Sequence, residues 1–127
     1  MRATAPNTPT TPSPDAVLSS AVVKAAELLG ISQALLAKVL GVSPATVSRL
    51  VAGSYRLSPG RQKEWDFAVL FVRVFRSLDA LVGHGESARA WLTGYNAGLN
   101  AKPIDLLTNT EGIVRVLNYL DAYRGRI

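Results

Sequence analysis

Apolar residues recur along most of this 127-residue chain at three- and four-residue spacing, the period of helices with one buried face. After Asp15, read as an N-cap, "AVLSSAVVKAAELLG" carries Val17, Ala21, the Lys24 stem and Leu28 at that spacing and stops at Gly30. A second helix opens after Ser32, whose hydroxyl suits the orphan amides of "QALLAKVLG", and closes at Gly41. A third takes Ser43 as N-cap and Pro44 at its first position, where a missing N–H costs nothing, and ends near Gly53. Three such short helices within some forty residues predict a compact bundle.

Beyond the turn residues "SYRLSPG", the stretch Arg61 to Gly83 has no breaker and predicts one long helix of about six turns. Its middle is apolar nearly all round, which calls for burial on more than one side, either as a spine joining two halves or as a dimer seam. The β-branched and aromatic content also permits a strand, but no partner strand appears elsewhere. The remainder reads as a helical "ESARAWLTGYNAGLN", a "PIDLL" turn and a last helix whose start is set by Thr108 and Glu111 at capping-box spacing. Along that helix Ile113, Val116, Leu117, Leu120 and Tyr123 or Arg124 mark an apolar stripe, with Arg115, Asn118 and Asp121 facing away. The pattern predicts an all-α protein with no internal repeat.

Composition narrows the chemistry. Lys and Arg number 14 against 9 Asp and Glu, and the net charge of +5 favours polyanionic partners without requiring them. Without cysteine, and with His84 as the single histidine, neither a disulfide framework nor a metal cluster is expected. The first fourteen residues hold four prolines among Thr, Ser and Asn, the composition of a flexible leader. They lack the apolar core of a secretory signal, and the most apolar run, "FAVLFV", is six residues long, so a cytoplasmic protein is expected. The expected division is a tail over 1–14, the three-helix unit over 15–64, and a spine with a second unit over 65–127.

Residues 32–53 carry the first recognisable site. Leu36, Ala37, Leu40, Val42, Val47 and Leu50 fall where two helices lock around a glycine turn, leaving Ser43, Ala45, Thr46, Ser48 and Arg49 to face outward. This segment resembles the Xre or lambda-repressor-like helix-turn-helix family. The resemblance implies base-facing positions at Ala45 and Arg49 and phosphate contacts at Gln33, Ser43 and Thr46. The chemistry agrees: an arginine offers two parallel donors to guanine, an alanine packs on a thymine methyl, and hydroxyls at helix N-termini suit phosphate. The competing role for Arg49 is a phosphate contact alone. With short side chains at Pro44 and Ala45, part of the specificity is expected from DNA shape.

The run from Ala88 to Ile127 resembles the C-terminal toxin-binding domain of Xre/MbcA/ParS-type antitoxins, through Trp91, Leu92, Asn96, Pro103, Leu106, Leu107, Glu111, Gly112, Val116, Leu120 and Arg124. One departure is "LNAKP", where the family often has glycine between the leucine and the proline; Asn100 tolerates the left-handed conformation a glycine would supply. The resemblance implies a non-enzymatic antitoxin, with no cofactor of its own, in a type II toxin-antitoxin system. Its partner would be a RES-domain toxin that consumes NAD or transfers ADP-ribose from it. The C-terminal domain would cover the toxin's NAD cleft, while the DNA-binding half represses the shared operon. Separately, the all-round apolar spine makes a homodimer within a larger complex the expected state.

The closing residues Tyr123, Arg124, Gly125, Arg126 and Ile127 suit a plug for that cleft, combining two guanidiniums, a flexible glycine and a terminal carboxylate. The plainer role is a basic helix end favoured by the helix dipole. A different class of function, a stand-alone repressor whose second half only dimerises, shares the helix-turn-helix and lacks a reason for the second pattern. Trp65 and Trp91 are expected in the core, His84 in an inter-helix loop, and Asp105 and Glu111 as turn and cap carboxylates.

Overall fold

The computed structural model describes residues 13–125, which form seven helices: α1 Pro14–Leu29, α2 Gln33–Leu40, α3 Pro44–Ala52, α4 Gln62–Val82, α5 Glu86–Thr93, α6 Pro103–Leu106 and α7 Thr110–Arg124. Among the described residues there is no strand, only an isolated bridge between Asn96 and Ala101, so the helical reading of the apolar run holds. The tail expected over 1–14 lies outside the described residues except at Ser13 and Pro14, which begin α1.

The long helix α4 organises the chain. Ala68, Phe71, Val72, Val74, Ser77 and Leu78 are buried on it and, at 100° per residue, sweep an arc of about 220°. Towards its start the Phe67 ring lies against Gly41, and further along Ser77 bonds to α7, so one helix carries the core of both halves. This is the spine. Its remaining face carries half-buried Trp65 and Val69 and exposed Arg73, Arg76 and Ala80.

Several local expectations shift. The N-cap of α1 is Ser13, whose Oγ accepts from the Ala16 N–H at 3.2 Å; Asp15 instead sits in the first turn, where its charge complements the helix dipole. The buried stripe of α1 is Val22, Ala25, Ala26 and Leu29, while Val17 is 51% exposed and Lys24 is exposed. Alanines and valines on every face leave the phase of this helix open to a partner's choice. The buried face packs chiefly on α4, and it is also tied to the α3–α4 loop, where the Leu57 N–H donates to buried Ser19 Oγ at 2.9 Å.

The last helix also starts elsewhere. Its N-cap is Asn109, not Thr108, and Asn109 Oδ1 accepts from the Gly112 N–H at 2.7 Å. A Cβ on Gly112 would stand 2.1 Å from the Leu106 carbonyl oxygen, so only glycine lets α7 approach α6 this closely. The stripe Ile113, Val116, Leu117 and Leu120 is buried as expected, though Tyr123 and Arg124 at its end are exposed; Arg115 and Asn118 are exposed as expected, while half-buried Asp121 turns back towards α4. Asp121 accepts from Ser77 Oγ at 2.9 Å, and Arg115 Nη2 donates to the Leu99 carbonyl at 2.8 Å. Asn100 takes φ 55°, the left-handed geometry its position requires. The "PIDLL" turn is the short helix α6. Trp65 and Trp91 are half-buried against the core rather than enclosed by it.

Candidate functional site

Between α2 and α3 the chain turns by 108°, within the range of a helix-turn-helix. Gly41 makes this corner possible at φ 72°, its successor Val42 donating back to the Ala37 carbonyl at 3.0 Å. Leu36, Ala37, Leu40, Val47 and Leu50 are buried and Val42 is half-buried, which leaves Ser43, Ala45, Ser48 and Arg49 exposed.

Ser43, Thr46 and Arg49 form one connected chain. Ser43 Oγ accepts from the Thr46 N–H at 3.1 Å and lies 2.8 Å from Thr46 Oγ1, and Arg49 Nη2 donates to Thr46 Oγ1 at 3.4 Å. The guanidinium is therefore held along the exposed face of α3, while the hydroxyl of half-buried Thr46 is already engaged. Gln33 stands apart at the start of α2, exposed, on the rim of a hollow that also takes in Ile31 and Val51.

The loop that follows α3 holds a residue the motif search did not single out, Arg56. Leu57 is buried beside it. Arg61 lies 4.9 Å over the Tyr55 ring and bonds Glu64 at 2.9 Å, and Tyr55 Oη donates to the same carboxylate. Burial first, then the Glu64 carboxylate, raise the Tyr55 pKa above the ordinary phenol value, so it stays protonated and donating at neutral pH. The loop is thus pinned at both ends and presents Arg56 from a fixed backbone. A basic residue just after a recognition helix was the available signal.

Charge divides unevenly along the chain. Residues 1–76 carry nine Lys and Arg against four Asp and Glu, whereas residues 77–127 carry five of each, so the entire excess of +5 belongs to the half with the helix-turn-helix.

In the other half, α7 is latched to α4. Ser77, 2% exposed, donates to Asp121 Oδ1 and accepts from Arg124 Nη1, both at 2.9 Å, and Arg73 stands 3.9 Å from Asp121. Of the five expected plug residues, Arg124 is therefore folded back onto α4. Gly125 continues the helix at φ −66°, its N–H reaching the Asp121 carbonyl at 2.9 Å, so the left-handed freedom of glycine is not used there. Tyr123 is 43% exposed, and Arg126 and Ile127 lie outside the described residues. His84 is exposed in the α4–α5 loop with Nδ1 2.9 Å from Asp79, and Asp105 and Glu111 occupy first turns of helices.

Residues 9–73 match the antitoxin Xre-like helix-turn-helix domain, just over half of the chain. The chain belongs to the Xre-like antitoxins. Residues 77–126 match the antitoxin Xre/MbcA/ParS C-terminal toxin-binding domain, so the partner of this antitoxin's second half is a toxin. A search of curated proteins finds no match. The two matched regions meet inside α4, so the spine serves both. Among the described residues no single helix is long and apolar enough to cross a membrane.

Proposed function

We propose that this antitoxin neutralises a RES-domain toxin, one that consumes NAD or transfers ADP-ribose from it, and represses the operon encoding both proteins. In this type II system the C-terminal half covers the toxin's active site and the helix-turn-helix holds the operator. Arg49 reads a base, Ala45 and Ser48 line the same face, and Gln33, Ser43 and Thr46 contact phosphate. Thr46 reaches phosphate with its hydroxyl proton, which is free when Ser43 is the donor of their shared bond. The antitoxin acts as a homodimer on paired half-sites, and the cytoplasm is where operator and NAD are both met.

The observation that supports this reading is that the region matched to the helix-turn-helix domain and the region matched to the toxin-binding domain are joined through one continuous helix, α4. The alternative of a stand-alone repressor with a dimerising second half offers no account of the region matched to a toxin-binding domain. Purification of the antitoxin with the RES-domain protein, followed by band shift on the upstream DNA, tests both halves. A complex that shifts DNA is expected; a chain that shifts DNA but never co-purifies with the toxin would favour the repressor.

A further inference from the structure

A groove of about 240 Å³ opens beside the end of the spine, lined by Leu81 and Val82 of α4, Trp91 of α5, and Tyr119, Leu120 and Tyr123 of α7. Its aromatic wall is ordered: Trp91 and Tyr119 have centroids 6.2 Å apart, and Tyr119 and Tyr123 are 4.9 Å apart, both pairs tilted. Leu120 forms a closed floor at 1% exposure, while Val82 and Tyr123 stand open at 42% and 43%. No charged side chain lines it.

Three observations decide what fits. All six lining residues fall within 77–126, the region matched to a toxin-binding domain. That region is electrically balanced, with five basic and five acidic residues, so it has no net positive charge to favour nucleic acid or an anionic membrane over a protein. And α7 ends at Arg124, one residue past the rim at Tyr123, so the groove is continuous with the segment proposed to enter the active site. An open aromatic and aliphatic hollow of this kind is the usual seat of an interface anchor.

We propose that this groove is the toxin's principal docking seat, taking an aromatic or branched aliphatic side chain of the toxin between Val82 and Tyr123 and onto Leu120. The proposal rests on the reading of the chain as the antitoxin of a RES-domain toxin. It divides the work: the groove supplies affinity, and the residues beyond α7 supply inhibition.

The test titrates the RES-domain toxin, in a catalytically inactive form, into the full-length antitoxin and its variants by calorimetry. Val82→Glu and Tyr123→Glu each weaken the complex about tenfold or more, with thermal unfolding and operator shift unchanged. Val17→Glu, equally exposed but on α1, leaves it unchanged. As a measurement independent of any variant's folding, 5-fluorotryptophan in the unaltered antitoxin gives a Trp91 fluorine resonance that moves on toxin addition and a Trp65 resonance that does not. Groove variants that bind like the parent, or an unmoved Trp91 signal in a formed complex, overturn the groove alone. Loss of self-association in Val82→Glu without loss of toxin affinity also overturns it, by making a second copy the occupant. No complex with the unaltered chain overturns the toxin reading and the groove with it.

Discussion

Arg49 is the one long donor on the exposed face of α3, and its bond to Thr46 fixes where the guanidinium starts from. Arg49→Ala is expected to weaken operator binding by about 1 to 3 kcal/mol and to relax preference at one base pair. Band shifts at fixed salt over single-base operator variants measure both, and unchanged preference would return Arg49 to the phosphate backbone. Ser77 is the corresponding residue on the other side. Its buried hydroxyl bonds both Asp121 and Arg124, and Ser77→Ala is expected to cost about 1 kcal/mol in urea denaturation. The role of Arg124 was not legible in the sequence, because its partner lies 47 residues away and nothing local predicts the pairing. Arg49 was legible because its exposure follows from the helix-turn-helix pattern alone.

Among the elements, α2 and α3 were readable to the residue. Ser32, Ser43, Pro44, Gly41 and Gly53 each act through chemistry local to a helix end, which sequence displays directly. The phase of α1 and the start of α7 were not. In α1, apolar side chains surround the helix and the buried face is set by packing on α4 and by the bond from Leu57, 38 residues on from Ser19. At α7, Thr108 and Asn109 are both competent caps, and the choice falls to Asn109 where Gly112 passes under the Leu106 carbonyl. Gly112→Ala is accordingly expected to cost about 3 kcal/mol, since a backbone oxygen cannot move aside as a side chain can. Gly125→Ala, whose Cβ would meet its nearest neighbour at 3.4 Å in helical geometry, is expected to be neutral or to stabilise by up to about 1 kcal/mol. Comparing the two melting curves separates packing from propensity. The spine makes the strongest demand: Phe71 is fully buried, and Phe71→Asp is expected to abolish folding, since an unpaired buried carboxylate costs several kcal/mol of a total near 5 to 15. A folded variant by circular dichroism would contradict the core described for α4.

At the scale of the whole molecule, charge and apolar surface part company along the chain. The excess of +5 lies before residue 77, and the aromatic groove lies after it. Operator affinity is therefore expected to fall steeply with salt, while the toxin complex, built on apolar contact, changes little between low and physiological ionic strength. The two halves remain mechanically joined. Besides the spine they share, Arg89 of α5 donates to the Leu28 carbonyl at the end of α1 at 3.2 Å. The two-part organisation was legible as two motif patterns; that bridge was not, because it joins residues 61 apart. The role proposed for this antitoxin is to protect NAD from its toxin. Its most direct measurement is cellular NAD after induction of the RES-domain toxin alone, with the full-length antitoxin, and with a chain ending at Gly125, whose α7 latch stays complete. Full-length antitoxin is predicted to hold NAD at the uninduced level, and the truncated chain to co-purify with the toxin yet let NAD fall. NAD that collapses in the presence of the full-length chain would contradict the account.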